Sequence, residues 1–280
     1  MAPIASQHPV PQPCSKRKGT FLGRLALKFF FAPLQRLRIT RYLARRLGLE
    51  FLPVCFNGKW LHIPVETWDG YVQNYEPKVA AVLREHLKPG DSFVDVGSHN
   101  GMWSLFAASL TGTCGMVIGC EPSPAFDFFK KISAEKPHIV PLKVGLGKED
   151  SEALFFAQGG EMTGSFVQDV TDLNRSLQPD IPIETKKVKI RSIDSLILEY
   201  KLSPRIIKVD VEGFELEVLK GASTSLKELS ALWIVEIHPP QLSLSGGTED
   251  DIFKILKQNG YLTEIVNRDD NSIYTVVAHK

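Results

Sequence analysis

Two short runs put ionisable side chains at alternate positions where a buried strand would normally be apolar. In Ile207-Lys208-Val209-Asp210-Val211-Glu212-Gly213, period-two alternation sends Ile207, Val209 and Val211 to one face and Lys208, Asp210 and Glu212 to the other. In Leu232-Trp233-Ile234-Val235-Glu236-Ile237-His238-Pro239, Glu236 and His238 share a side. A charge taken out of water is costly unless it is paired or used. If the two strands are neighbours, these five polar groups converge at one edge of a sheet. Such a set can accept a substrate proton, orient a polyol or hold a metal; the alternative is a structural ion-pair network around Lys208. His238 is the first choice of general base, because an ordinary imidazole pKa of about 6.5 suits neutral solution. Asp210 and Glu212 stand beside it in the catalytic set. The sequence shows no complete metal-ligand set beyond the carboxylates, so no metal is expected.

A second constellation lies upstream. Phe93-Val94-Asp95-Val96-Gly97-Ser98-His99-Asn100-Gly101 reads as a short strand running into a glycine turn and then a helix. Open α/β sheets bind ligands at such joints, outside the carboxyl ends of their strands. Gly97 lets the backbone turn sharply, and Gly101 is expected to let a ligand approach closely. Asp95 adds a carboxylate, which suits a ligand bearing a cationic group better than a bare pyrophosphate. Glu121 ends the next strand, Met116–Cys120, where a carboxylate can accept hydrogen bonds from both ribose hydroxyls. On these residues a nicotinamide dinucleotide and an adenosyl cofactor both fit.

The elements that must position these groups alternate. The spacing predicts a helix over 76–87, a strand at 93–96, a helix over 102–110, a strand at 116–120, a helix over 124–134 and a strand at 138–144. That β-α-β-α-β order implies a parallel, right-handed layered sheet. A small strand is expected at 61–65, after a tail and before the Trp68-Asp69-Gly70 turn. Residues 145–193 interrupt the alternation and read as an inserted ribbon with a long polar loop above the sheet. The sequon Asn174-Arg175-Ser176 is discounted, since no secretory signal is recognised. A final helix over 248–259 is followed by strands at 261–266 and 272–278 joined by Arg268-Asp269-Asp270-Asn271.

Charge is segregated along the chain. Residues 1–49 hold ten Lys or Arg and no acid; taking those ten from the chain's 33 leaves 23 basic against 32 acidic groups, a net of −9 for the rest. Two units follow: a basic extension, 1–52, in part disordered and in part amphipathic helix, and an acidic body, 53–280. The extension can cap the body with its apolar side, lie on an anionic membrane surface through residues 16–49, or serve in targeting or nucleic-acid contact. No nucleic-acid partner is expected of the acidic body. No apolar run reaches eighteen residues, and the four scattered cysteines fit a reducing compartment without a disulfide framework. A cytoplasmic protein, peripheral to the membrane at most, is the expectation.

From about Lys88 to Ala278 the chain resembles the FkbM family of S-adenosylmethionine-dependent methyltransferases. Three stretches carry the resemblance: Asp95 to Gly101, Cys120-Glu121-Pro122-Ser123-Pro124, and Ile207 to Glu215 continuing into Val218-Leu219-Lys220-Gly221-Ala222. The last is the most specific. The turn departs from the family, which usually carries Ala and Asn where Ser98 and His99 stand here. The resemblance implies a Rossmann-like class I fold, with a seven-stranded, mostly parallel sheet and one antiparallel strand. It implies S-adenosylmethionine as cofactor, with Asp95, Gly97, His99 and Gly101 at its methionine end and Glu121 on its ribose. It implies O-methylation of a hydroxyl on a saccharide, glycolipid or secondary metabolite. The alternative is a catalytically silent protein of this fold, serving as a membrane-associated interaction module.

Overall fold

The structure, a computed structural model, describes residues 38–66, 74–158, 164–169, 183–268 and 273–280. The expectations for residues 1–20, for the start of the amphipathic stretch, for Trp68 to Gly70, for the sequon and for the turn at 269–271 lie outside these residues, as does most of the polar loop over 159–180.

The described chain opens with helix α1 (Arg38–Arg46) and a hairpin of β1 (Phe51–Phe56) and β2 (Lys59–Pro64). Asn57 and Gly58 both have positive φ, 45° and 74°, the backbone that a two-residue hairpin turn demands. Sequence reading found only the second strand; the Asn-Gly pair was the missed signal. Ala44 of α1 is buried in the core and β1 begins at Phe51, so packing starts ahead of the boundary expected after Leu52.

Next come α2 (Pro77–His86), β3 (Ser92–Val96), α3 (Met102–Thr111), β4 (Met116–Cys120), α4 (Phe126–Ser133) and β5 (Ile139–Leu142). The interruption holds β6 (Gly145–Leu146), β7 (Ser151–Gln158), β8 (Gly164–Ser165) and β9 (Ile183–Arg191), which form their own sheet in the order β6-β9-β7-β8. The alternation resumes with α5 (Ile193–Tyr200), β10 (Pro204–Val209), α6 (Glu215–Lys220), α7 (Ser223–Glu228) and β11 (Leu232–Ile237). Then follow α8 (Pro239–Leu244), α9 (Glu249–Gln258), β12 (Leu262–Arg268) and β13 (Tyr274–His279). Thr248 and Asp251 close α9 with a reciprocal capping box.

The main sheet has seven strands in the order β12-β13-β11-β10-β3-β4-β5. All neighbours are parallel except β13, which runs antiparallel to both β11 and β12. This is the Rossmann-like class I methyltransferase architecture expected from the sequence.

Side-chain alternation divides the core in two. Phe93, Val117, Ile206 and Ile234 pack under α2, α3 and the β1–β2 hairpin. Val94, Ile118, Ile207, Val209, Trp233 and Val235 pack under α5, α6 and α9. Each large side chain so buried contributes roughly 1.5–3 kcal/mol. On the first face this apolar pattern breaks near the carboxyl edge: Phe93 gives way to Asp95, Ile206 to Lys208 and Ile234 to Glu236. Asp95 and Lys208 are register partners on adjacent strands. The fold therefore gathers charge at one end of the three central strands. Cys55 and Cys120 are free thiols. Cys114 is disulfide-bonded, a link that the scattered spacing did not suggest.

Candidate active site

The turn after β3 is held from both sides. The N–H groups of Gly97 and Ser98 both donate to the Cys120 carbonyl, at 3.0 Å each, and the Asp210 N–H donates to the Val96 carbonyl at 3.0 Å. Gly97, His99 and Gly101 all have positive φ, 78°, 49° and 82°. A Cβ on Gly97 would overlap the Asp210 carbonyl, and one on Gly101 would overlap the Phe129 ring. The expected reason for Gly101 is thus corrected: the side where its Cβ would stand is filled by Phe129 of α4, not held open for a ligand.

Asp95 is fully buried. Its Oδ2 accepts from the Ser104 hydroxyl at 2.6 Å, while its Oδ1 has no hydrogen-bond partner. Burial pushes the carboxyl up to about 6, against the pull of Lys208 and Ser104. An acid so placed gains from a cationic ligand. Glu121, also buried, braces the turn: Oε2 accepts from the His99 N–H at 2.7 Å and Oε1 from the Ser123 N–H at 2.8 Å. Each oxygen keeps a further acceptor site. Burial holds the His99 imidazole below its ordinary pKa, although Glu121 and Asp210 oppose this.

The second constellation assembles as the alternation suggested, with one difference. β10 ends at Val209, so Asp210 to Gly213 form a loop rather than a strand end. Glu212 takes a left-handed φ of 51° and Gly213 follows at 96°. A glutamate in that conformation is strained, and strain of this kind concentrates at functional sites. Lys208, 1% exposed, donates to Asp210 Oδ2 at 2.7 Å. Burial works against its ammonium, but Asp210, Glu76, Glu236 and Asp95 more than offset it and raise the pKa. Burial would raise Asp210, yet Lys208 and His238 bring it down to about 2. Burial and the Asp210 charge raise Glu236 to about 9, so Glu236 carries a proton beside an ionised Asp210.

His238 is 2% exposed. Its Nδ1 lies 2.7 Å from Glu215 Oε1, and its Nε2 lies 3.6 Å from Glu212 Oε2 and 3.9 Å from Asp210 Oδ1. Burial disfavours its cation, but Glu215, Glu212 and Asp210 outweigh that and raise the pKa to about 10. The ordinary value that recommended His238 as general base is therefore not the one it has; in neutral solution it is an imidazolium. Glu215 was quoted in the sequence motif without a role. It is fully buried, accepts from the Gly213 N–H at 2.9 Å as well, and keeps Oε2 without a partner. A first-turn acid directly after a Phe and a Gly was the available signal.

A cavity of about 330 Å³ opens over these groups, lined by Asp210, Glu212, Glu236 and His238, with Tyr75 and Glu76 facing them from the chain ahead of α2. Asn267 and Ile273 of the terminal hairpin close it on another side. Tyr75 and Glu76 were absent from the sequence candidates, because nothing local separates them from an ordinary helix start. Tyr75 stands 6.2 Å, ring to ring, from Trp103 and 6.4 Å from Phe56. The small sheet reaches the same loop: Phe166 packs on Phe214, next to Gly213, with ring centroids 5.2 Å apart. So the structure brings Asp210, Glu212 and His238 into one cavity. It puts Gly97, His99 and Gly101 into the adjoining turn, with Asp95 on β3 just ahead of it and Glu121 bonded to it from the end of β4, and the turn joins that cavity where Gly97 meets Asp210.

The family described as "Methyltransferase FkbM domain" matches residues 95–263, more than half of the chain. The hexuronic acid methyltransferase AglP of Haloferax volcanii is 30% identical over 206 residues, covering 71% of this chain and 75% of its own. Methyltransferase 1 of Beauveria bassiana is 29% identical over 168 residues, covering 53% and 66%. Among solved structures, an FkbM methyltransferase from Methylobacillus flagellatus aligns with 77% of this chain and 54% of its own, at 14% identity and a TM-score of 0.46. That likeness is too loose to add to the family match.

Proposed function

The chain belongs to the FkbM methyltransferase family, and from that premise we propose that it moves the methyl group of S-adenosylmethionine to a hydroxyl of a saccharide or a similar polyol. The observation that carries this reading is the carboxylate-rich cavity joined, at the Gly97–Asp210 contact, to a turn with a buried, half-satisfied Asp95. AglP, which acts on a hexuronic acid by its name, supports a sugar acceptor.

S-adenosylmethionine supplies an electrophilic methyl on a cationic sulfur. The turn residues fit it: Asp95 has an acceptor oxygen to spare for a cationic group, Gly97, His99 and Gly101 shape the backbone beside it, and Glu121 has lone pairs left for two ribose hydroxyls. In the transfer an acceptor oxygen forms its bond to the methyl carbon as the carbon–sulfur bond breaks, and sulfur keeps the electron pair. The charge on sulfur disappears, so the protein has to align the oxygen and take its proton rather than stabilise a new anion. Glu212 takes that proton. Burial raises its carboxyl, which makes it the better base, and it lines the cavity, while Asp210 is held ionised by Lys208. Without a cation in the cavity His238 is positively charged among these acids, and it orients Glu212 and Asp210.

Among the described residues no helix is long and apolar enough to cross a membrane. Tyr42, Leu43 and Leu47 are exposed beside Arg45 and Arg46 on and just after α1, which supports a membrane-surface role for the basic extension.

Titration calorimetry with S-adenosylmethionine tests the central claim. One molecule is expected to bind, and Glu121→Ala to lose it. A purified, folded chain that takes up no heat at millimolar cofactor would end this reading. Transfer of labelled methyl to uronic-acid oligosaccharides tests the acceptor class.

A further inference from the structure

Asp210, Glu236 and His238 do more than line the cavity. Each offers one ligand atom, and the three atoms lie within 4.8 Å of one another. A cation at roughly 2.1–2.3 Å from each needs only small side-chain adjustments to sit among them. Close spacing of acids alone would not distinguish a metal site from a crowded surface. The histidine does. His238 is 2% exposed and lines the cavity, and among the described residues the acids nearest its Nε2 stand 3.6 and 3.9 Å away, beyond hydrogen-bond reach. Its other nitrogen is held 2.7 Å from the fully buried Glu215. A carboxylate accepts only, so Nδ1 is the donor and Nε2 is the nitrogen turned to the cavity, where a bound cation would take the place of its proton. A carboxylate fixing the far nitrogen of an inward-facing imidazole is the outer-shell arrangement of metal-bound histidines.

Charge favours the same answer. Lys208 occupies Asp210 Oδ2, leaving Oδ1 on the His238 side. Glu212 and Glu76 add acids to the cavity wall beyond the three ligands. We infer that Asp210, Glu236 and His238 bind one divalent cation of the manganese or magnesium type, with Glu215 as the residue that positions His238. The carboxylate oxygens of Asp210 and Glu236, the latter giving up its proton to the bound cation, suit such ions, and the imidazole favours manganese of the two. The cavity leaves room for further oxygen ligands. Resting on the methyl-transfer reading, the cation would chelate two neighbouring oxygens of the acceptor and lower the pKa of the one to be methylated. The acceptor class thereby narrows to compounds with adjacent hydroxyl or hydroxyl and carboxylate groups.

The test uses the full chain, stripped with EDTA and desalted, without cofactor. MnCl2 is titrated while the free-ion signal is followed by electron paramagnetic resonance and the heat by calorimetry. One equivalent is expected to bind, with at least tenfold weaker binding in Asp210→Asn and in Glu236→Gln, so that a misfolded variant of one does not decide the matter. Glu215→Gln is expected to weaken binding 10- to 100-fold, with its thermal unfolding recorded alongside. Absence of binding at millimolar Mn²⁺, or weak binding of several equivalents that neither ligand variant changes, overturns the site. Cofactor binding is measured on the same sample. Metal lost with cofactor retained removes this inference alone; cofactor lost with metal retained removes the transfer reading alone.

Discussion

Gly97 and Asp210 meet backbone to backbone, and this contact ties the turn after β3 to the loop after β10. The place of a Gly97 side chain is taken by the Asp210 carbonyl, and the Asp210 N–H is bonded to Val96 one residue away. Neither loop can shift without the other.

Gly97→Ala should therefore fail in two ways. A left-handed φ costs an alanine about 1–2 kcal/mol, and forcing the two backbones apart adds roughly 1–3 kcal/mol. Gly90→Ala, also at positive φ but with nothing within 4 Å of its Cβ, isolates the first cost. Urea unfolding should show Gly97→Ala the less stable of the two, and calorimetry should show that it alone loses the cofactor.

Glu121 serves the turn and the proposed ribose contact at once. Glu121→Gln keeps the shape and one acceptor oxygen, so cofactor affinity should fall by roughly tenfold or more while the fold survives. Glu121→Ala also frees the His99 and Ser123 N–H groups, and its melting temperature should drop as well. Equal melting temperatures for the two variants would contradict the bracing role.

Asp95 gives a pH signature. Its carboxyl rises from 3.8 to about 6 in the fold, because burial disfavours the charge. The folded state then binds the proton more tightly than the unfolded chain, so stability is highest below pH 4 with respect to this group and declines as pH passes 6. The difference amounts to about 3 kcal/mol for a shift of this size. In cofactor-free protein, Asp95→Asn should remove that decline, read as the change in unfolding free energy between pH 4 and 7 relative to wild type. Cofactor affinity should move the opposite way and strengthen through pH 6 in wild type only.

Away from the site, Asp194 caps α7 from α5. Its Oδ1 accepts from the Ser225 N–H at 2.8 Å and its Oδ2 from the Thr224 N–H at 2.8 Å. Asp194→Ala should cost about 1–2 kcal/mol in urea unfolding and leave methyl-transfer kinetics unchanged.

Most of this architecture was legible because its physics is local. The strand–turn–helix joint at Asp95 to Gly101 and the alternation around Lys208 and Asp210 each state their geometry within a few residues. The rest depends on partners far along the chain. Gly101 yields to the ring of Phe129, 28 positions away, and Glu215 acquires meaning only when His238 arrives beside it. The basicity of His238 shows the same limit. Its residue type suggested a base, and Asp210 and Glu212 of the loop after β10, with Glu215 at the start of α6, raise its pKa. Asn57-Gly58 was different, a local signal that was present and passed over.

The ring contact between Phe166 and Phe214 joins the small sheet to the loop after β10. Phe214 follows Gly213 and the strained Glu212, so the Phe166 ring packs two positions along the chain from the proposed base. The inserted sheet thus abuts, through an aromatic contact, the same short stretch that holds Glu212.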